Sequence, residues 1–483
     1  MTGLLTIEQL VSGTNGTVVC TGEIKNIIFT SVATDSRMVV ENTLFVPLMG
    51  EFQNGHKYVP QAIEKGASVI FINKSEYEQK KGEYDSASEK NPNVCFVIVE
   101  NTLHALQDAA ETYVGKFPKL TKISITGSCG KTTTKEMLVS VFKAKYGDKV
   151  VYTQGNFNSE TGLPLSVFNI RENHEYGIFE MGMNRVDEIG EISKVLKSKY
   201  GIITNIGTAH IGILGSQQKI AEEKRKSFRY IPADGAAFVP AADSFADFCV
   251  EGVKGKIVKY GSTVDSAVSG VTFISDEGLF GTKFSVDGVE VKLPLSGQHN
   301  FENALGVIAL AKQCGIETKY IKDGLENMAK LTGRMEINQA KLKNGCEAFL
   351  VKDCYNANPD SMEKVIEFVG NVKNVNQKIF VLADMKELGE KSKTGHELIG
   401  KALSEISYDY AILVGPEMKY AFEVLGGTEN KKNYYFEEKS DETFKQIVAF
   451  LMKVSKTNDV VVFKGSHSME LEKIIPEVCC NGK

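Results

Sequence analysis

Lys122-Ile-Ser-Ile-Thr-Gly-Ser-Cys-Gly-Lys-Thr-Thr-Thr134 is the stretch that decides how this chain is read. Lys122–Thr126 is a short run of the buried-strand kind, and Met137, Leu138, Val141 and Phe142 then recur at helical spacing. Between them, glycines let backbone N–H groups close around phosphate oxygens, and the helix N-terminus adds partial positive charge. Thr126, Gly127, Ser128, Cys129, Gly130, Lys131, Thr132 and Thr133 therefore form a candidate cradle for the phosphates of ATP. Lys131 is suited to the β and γ phosphates, and a threonine hydroxyl to Mg2+. The usual spacing would place a glycine where Ile125 stands, so the loop is a shortened variant.

Outward from this loop, apolar strands alternate with long helices, the pattern of a parallel sheet covered on both faces. Strands are expected at Val150–Thr153, Tyr176–Glu180 and Tyr200–Ile206, and helices at Thr132–Lys145, Val186–Leu196 and Ile220–Phe228. Ile257–Leu295 reads as a small β-rich appendage, followed by a helix over Phe301–Cys314. Before the loop, short β-rich runs (Thr17–Cys20, Thr43–Leu48, Ser68–Ile72, Val94–Val99) surround one helix, Val59–Lys65. The polar stretch Lys74–Asn93 reads as an exposed loop, and Thr102–Phe117 as a helix. Beyond Gly333 a second α/β alternation begins, with strands at Ala348–Lys352, Lys378–Leu382, Ala411–Val414 and Asp459–Phe463. Helices there are expected at Ser361–Phe368 and Phe444–Val454. The expected architecture is α/β with three domains: a small α/β N-terminal domain (1–101), a central P-loop parallel-sheet ATPase domain (102–331) and a Rossmann-like C-terminal domain (332–483).

Bulk properties agree with an enzyme of this kind. The 483 residues exceed one ordinary core, and 42% hydrophobic with 24% charged residues is a globular composition. A net charge of −5 gives no global field for nucleic acid. No apolar run approaches the roughly 20 residues of a bilayer span, and Met1–Leu10 has no basic leader, so a cytoplasmic chain without membrane insertion is expected. Nine cysteines without Cys-x-x-Cys spacing argue against a disulfide framework or structural zinc site. Cys479 and Cys480 read as exposed thiols.

Ligands of open α/β sheets sit beyond the C-terminal strand ends. Glu180 and His210 both fall there and could converge on a divalent cation near the γ-phosphate. Lys224 lies in Ile220-Ala-Glu-Glu-Lys-Arg-Lys226, by composition a solvated charged face.

Several further runs accompany the loop: Gly155-Asn-Phe-Asn-Ser-Glu-Thr-Gly-Leu-Pro164, Glu180-Met-Gly-Met-Asn184, Asn205-Ile-Gly-Thr-Ala-His210, Gly297-Gln-His-Asn-Phe-Glu-Asn-Ala304, Asp353-Cys-Tyr-Asn-Ala-Asn-Pro-Asp-Ser361, Asp384-Met-Lys-Glu-Leu-Gly389 and Lys464-Gly-Ser-His-Ser-Met469. Together with Thr34-Asp-Ser-Arg37 and Asn54-Gly-His56 in the first domain, they resemble the Mur ligases of bacterial cell-wall synthesis. The Tyr355–Ser361 and Asp384–Gly389 runs are similar to members that use D-alanyl-D-alanine and UDP-N-acetylmuramoyl-tripeptide. The resemblance implies ATP and Mg2+ as cofactors, these two small molecules as substrates, and a monomer. It implies Lys131 and Thr132 on the ATP phosphates and magnesium, Glu180 and His210 as further metal ligands, and Lys224 as a carbamylated lysine assisting a second magnesium. Asn300 and Asn303 would lie by the adenine, Arg334 and Asp353 by the ribose and phosphates. Ser36, Arg37, Asn54, Asn158, Tyr355 and Asn356 would contact the other substrates. Lys131, Lys224 and His210 are the expected catalytic group. Cys129, Thr208, Lys352 and His467 depart from the usual pattern. Three alternatives are weighed at this point: a folylpolyglutamate-synthase-like amide ligase, which the Tyr355–Ser361 run disfavours; a P-loop kinase or regulatory NTPase; and a non-catalytic scaffold, disfavoured because Lys131, Glu180 and His210 are all present.

Overall fold

The protein is described by a computed structural model over residues 3–50, 53–262 and 268–480. Met1 and Thr2 of the leader reading, and residues 263–267 of the β-rich stretch, lie outside the described residues. The central sheet has six strands, all parallel. Their spatial order is Lys256–Tyr260, Ala236–Pro240, Tyr200–Ile203, Thr121–Thr126, Tyr176–Glu180, Val150–Tyr152. The Thr121–Thr126 strand is therefore interior, and the Lys131–Tyr146 helix leaves its C-terminal end. That helix buries Met137, Leu138, Val141 and Phe142, the residues whose spacing marks its apolar face, against the strands and the Gln298–Gln313 helix. Phe142 is fully buried, so Phe142→Ala is expected to destabilise this domain by about 3–5 kcal/mol, read as a lower urea midpoint.

The first domain carries a five-stranded sheet ordered Thr17–Val19, Cys95–Val99, Ala67–Asn73, Thr43–Phe45, Ser31–Ala33, parallel except for its first edge. The Thr102–Gly115 helix shares one core with this sheet and with Leu163, Phe179 and Ile192 of the central domain, so the two units are joined by packing as well as by chain. The third sheet runs Glu336–Lys341, Glu347–Asp353, Asp459–Lys464, Lys378–Ala383, Tyr410–Val414, Asn433–Phe436, parallel beyond its antiparallel first pair. This is the Rossmann-like arrangement expected beyond Gly333.

Three expectations need correction. Lys74–Asn93 is not a loop but two helices, Lys74–Gln79 and Lys81–Lys90. Its apolar content is small, yet Tyr84 packs on Phe96 and the buried Glu76 carboxylate takes hydrogen bonds from Asn54 and Lys80. A few anchored side chains hold a mostly polar segment helical. Ile257–Leu295 is not one appendage. Lys256–Tyr260 closes the edge of the central sheet, and only Val271–Asp276, Thr282–Val286 and Val289–Leu293 form a separate antiparallel sheet. Cys479 is buried against the third domain's core, whereas Cys480 is exposed.

Candidate active site

The loop between the Thr121–Thr126 strand and the Lys131–Tyr146 helix is held from below and from the side. Thr126 Oγ1 donates to the Met181 carbonyl at 2.9 Å, tying the strand end to its neighbour. The Asn205 side chain accepts from Cys129 N at 2.8 Å, and Ser128 N donates to the Asn205 carbonyl at 3.0 Å. Gly130 has φ 79°, and a Cβ there would stand 2.8 Å from the Asn303 amide; only glycine allows this close approach in a left-handed conformation. Asn303 is thereby placed beside the loop.

Two lysines converge on one backbone oxygen. The Gly127 carbonyl accepts from Lys131 Nζ at 2.9 Å and from Lys224 Nζ at 3.0 Å. Lys224 is 1% exposed, so the reading of its helix as a solvated face fails at this residue. Composition averages over a helix, but this helix turns one lysine inward beneath the loop. Burial pushes the Lys224 ammonium well below its usual range, and the neighbouring Lys131 charge adds to the effect. Burial also lowers Lys131, against the opposing pull of the Glu180 carboxylate. Two cations this close in a dry site are costly unless an anion arrives or one becomes neutral.

Glu180, 1% exposed at its strand end, is the nearby anion. Its two oxygens take hydrogen bonds from Thr132 Oγ1 at 2.9 Å and from Asn158 Nδ2 at 2.7 Å. Thr132, Asn158 and Glu180 thus form a compact oxygen-rich group at the helix start, the donor chemistry a hard divalent cation takes. Among the described residues no cluster of three or more His, Cys, Asp or Glu has the geometry of a metal site. His210 lines the same cavity as Asn158. Its Nδ1 faces Glu387 Oε2 at 3.0 Å, and both residues have positive φ, 63° and 66°.

A cavity of about 590 Å³ opens above the loop, between the central and C-terminal domains. Ser128 through Lys131, Thr133, Asn158, His210, Asn300, Asn303, Arg334, Asp353, Tyr355 and Asn356 all line it. Asn300 is oriented by its bond to the Ser296 carbonyl at 2.8 Å. The Arg334 guanidinium lies 3.8 Å from the Tyr355 ring centroid, and Tyr355 stacks on His467. Asp353 accepts from the buried Lys464 Nζ at 2.6 Å and from Met335 N at 3.2 Å. Burial and the Lys364 cation hold the His299 imidazole down to about 4, so it is neutral at pH 7.

The first-domain residues lie elsewhere. Ser36 donates to Gln61 at 2.7 Å, and the exposed Arg37 pairs with Asp35 at 2.6 Å. Asn54 caps the Gly55–Tyr58 turn through His56 N and donates to Glu76. None of the three lines the central cavity. Sequence reasoning missed Glu387, Lys464, Asp360 and Lys364 as neighbours of the site. Three of them stand inside runs quoted above, so the signal was present but carried no direction.

The description "Mur ligase family, catalytic domain" matches residues 28–113, "Mur ligase middle domain" residues 125–311, and "Mur ligase, glutamate ligase domain" residues 333–467. The UDP-N-acetylmuramoyl-tripeptide–D-alanyl-D-alanine ligase of Treponema pallidum is 39% identical over 474 residues, 98% of each chain. Its namesake in Bacillus subtilis is 31% identical, covering 98% of this chain and 97% of the relative. The crystal structure of MurF from Acinetobacter baumannii superposes with a TM-score of 0.82 at 28% identity, covering 98% of both chains. A phosphate loop on an interior parallel strand, three further sheets beside the one that carries it and full-length similarity lead to one statement: this chain belongs to the Mur ligase family.

Proposed function

We propose that this chain is an ATP-dependent ligase that joins D-alanyl-D-alanine to UDP-N-acetylmuramoyl-tripeptide, giving the pentapeptide precursor of peptidoglycan. Full-length relatives bearing that activity in their names support the reaction. The observation that carries it is the pair Lys131 and Lys224 converging on the Gly127 carbonyl of a loop whose Ser128–Lys131 stretch lines a cavity between two domains.

A carboxylate and an amine do not condense in water without activation. In the proposed sequence a tripeptide carboxylate oxygen attacks the γ-phosphorus, forming a C–O–P linkage as the bond to the β-phosphate oxygen breaks and ADP leaves. The neutral amine of D-alanyl-D-alanine then attacks the acyl carbon. The C–O bond breaks, phosphate departs with the former carboxylate oxygen, and the amine loses a proton to a base. The barrier is chiefly the approach of one anion to another, so charge neutralisation and positioning do most of the catalysis. Lys131 holds positive charge at the loop, and the helix N-terminus adds its dipole. Thr132, Glu180, His210 and Lys224 are the residues proposed to hold Mg2+, which would supply further neutralisation of phosphate charge. Carbamylation of Lys224, which needs its neutral amine, would turn a buried cation into an anionic oxygen ligand. Asn300 and Asn303 would hold the adenine, and Arg334 and Asp353 the ribose and phosphates. Tyr355, Asn356 and Asn158 would meet the peptide substrates, with Ser36, Arg37 and Asn54 at the uridine diphosphate end.

We place the enzyme in the cytoplasm as a monomer. Among the described residues no helix is long and apolar enough to cross a membrane. Phosphate release in the presence of UDP-N-acetylmuramoyl-tripeptide is expected to require D-alanyl-D-alanine. Release that ignores the added amine would point to a kinase or regulatory NTPase instead.

A further inference from the structure

The first turn of the Pro359–Asn371 helix, in the C-terminal domain, docks on the loop that follows the Tyr200–Ile203 strand of the central domain. The Asp360 Oδ2 atom accepts from Thr208 N at 2.6 Å and from Thr208 Oγ1 at 2.7 Å. Next to it, Gly207 N donates to Ser128 Oγ at 2.9 Å, and Ser128 belongs to the phosphate loop. A chain of contacts thus runs Asp360–Thr208–Gly207–Ser128, from one domain to the nucleotide cradle of the other. Gly207 makes it possible, because a Cβ there would stand 2.5 Å from Asp360 Oδ2 and 3.3 Å from Ser128 Cβ. Three positions on from Gly207, His210 faces Glu387, also of the C-terminal domain. The neighbouring Asn358 caps the same helix and touches Cys129 Sγ at 3.4 Å.

Neither Asp360 nor Thr208 has a part in the chemistry proposed above. An acid in a first helical turn is favourable to the helix by itself, but this one turns a carboxylate oxygen onto two donors of another domain. Bonds from a carboxylate to a backbone N–H and a hydroxyl are of the strong, charge-assisted kind, and they form only when the two domains meet.

We propose that Asp360 is a positioning residue: by clamping Thr208 it locks the C-terminal domain over the phosphate loop and fixes the Asn205–His210 segment for phosphoryl transfer. The inference rests on the ligase reading. With the clamp removed, the central domain still holds nucleotide through its own loop, while the closed arrangement needed for turnover is rarely reached. Asp360→Ala is therefore expected to lower kcat by roughly ten- to a hundredfold while the Kd for ADP changes by less than about twofold. Thr208→Val removes the hydroxyl half of the clamp from the other domain and should lower kcat in the same way, more weakly. In the Asp360→Ala background it should cost nothing further. Gly207→Ala, which wedges a methyl between the two loops, should mimic Asp360→Ala.

The experiment is steady-state phosphate release with both peptide substrates, with ADP titration calorimetry, for wild type, each single variant and the Asp360→Ala/Thr208→Val pair. A kcat that falls while ADP affinity holds, with non-multiplying losses in the pair, supports the clamp. Unchanged kcat in Asp360→Ala, losses that multiply, or ADP affinity that falls in step with kcat would overturn it. Wild-type release that ignores D-alanyl-D-alanine would instead defeat the ligase reading, so the two failures are told apart within one data set.

Discussion

Lys131→Ala is expected to lower kcat/KM for ATP by about a thousandfold, the scale seen when one preorganised charge is removed from a developing anionic centre. The Lys131 ammonium hydrogen-bonds only the Gly127 carbonyl in this structure, so its charge is not consumed by a carboxylate partner. Nothing structural leans on it: the helix it begins is packed through Met137, Leu138, Val141 and Phe142, well down its length. Thermal unfolding of the variant should therefore resemble that of wild type while phosphate release collapses. A variant that folds normally and still turns over would remove the phosphate loop from the account.

Lys224 is the second large effect, and its direction separates two roles. If the residue works as an anionic oxygen ligand after carbamylation, Lys224→Arg should lose about a hundredfold or more in kcat despite keeping the positive charge. Small carboxylates such as acetate should restore part of the activity of Lys224→Ala. Because burial and the Lys131 charge lower its pKa, the neutral amine needed for reaction with carbon dioxide is available at lower pH than for an ordinary lysine. Wild-type activity should therefore rise with added bicarbonate and be lost as pH falls through the lowered folded value, where the amine protonates. The stability sign follows from the same shift. Between that folded value and the ordinary 10.5, the unfolded chain binds more protons, so this lysine penalises folding less as pH rises. Lys224→Met should flatten that slope and raise the melting temperature at neutral pH while abolishing ligation. Full activity in Lys224→Arg would show that the residue acts as a simple cation.

The parts of this molecule that were legible in its sequence are those with local causes. The phosphate loop was legible because strand, glycines and amphipathic helix follow one another without interruption. The strand that ends at Glu180 and the strand that precedes His210 were legible because their apolar runs are short and bounded by turns. What escaped was decided at long range. The Ala236–Pro240 strand is a five-residue run with no period to distinguish it, and it is a strand because Tyr200–Ile203 and Lys256–Tyr260 flank it. The helices at Lys74–Lys90 depend on buried Glu76, Tyr84 and Ser88 within an otherwise polar stretch. Lys224 shares its charge with its neighbours in sequence, so composition hides it; the family resemblance points to it, and its burial is visible only in the fold. The contacts between the central and C-terminal domains, Asp360 with Thr208 and Glu387 with His210, join residues far apart in the chain, and no spacing announces them.

The central claim is that the loop at Gly127–Thr132 delivers the γ-phosphoryl group to a peptide carboxylate. Tripeptide substrate labelled with 18O in its reacting carboxylate tests this directly, with the released phosphate analysed by mass spectrometry after ligation. One labelled oxygen per phosphate is the predicted result, because phosphate departs with an oxygen taken from the carboxylate. Unlabelled phosphate released alongside amide product would contradict it.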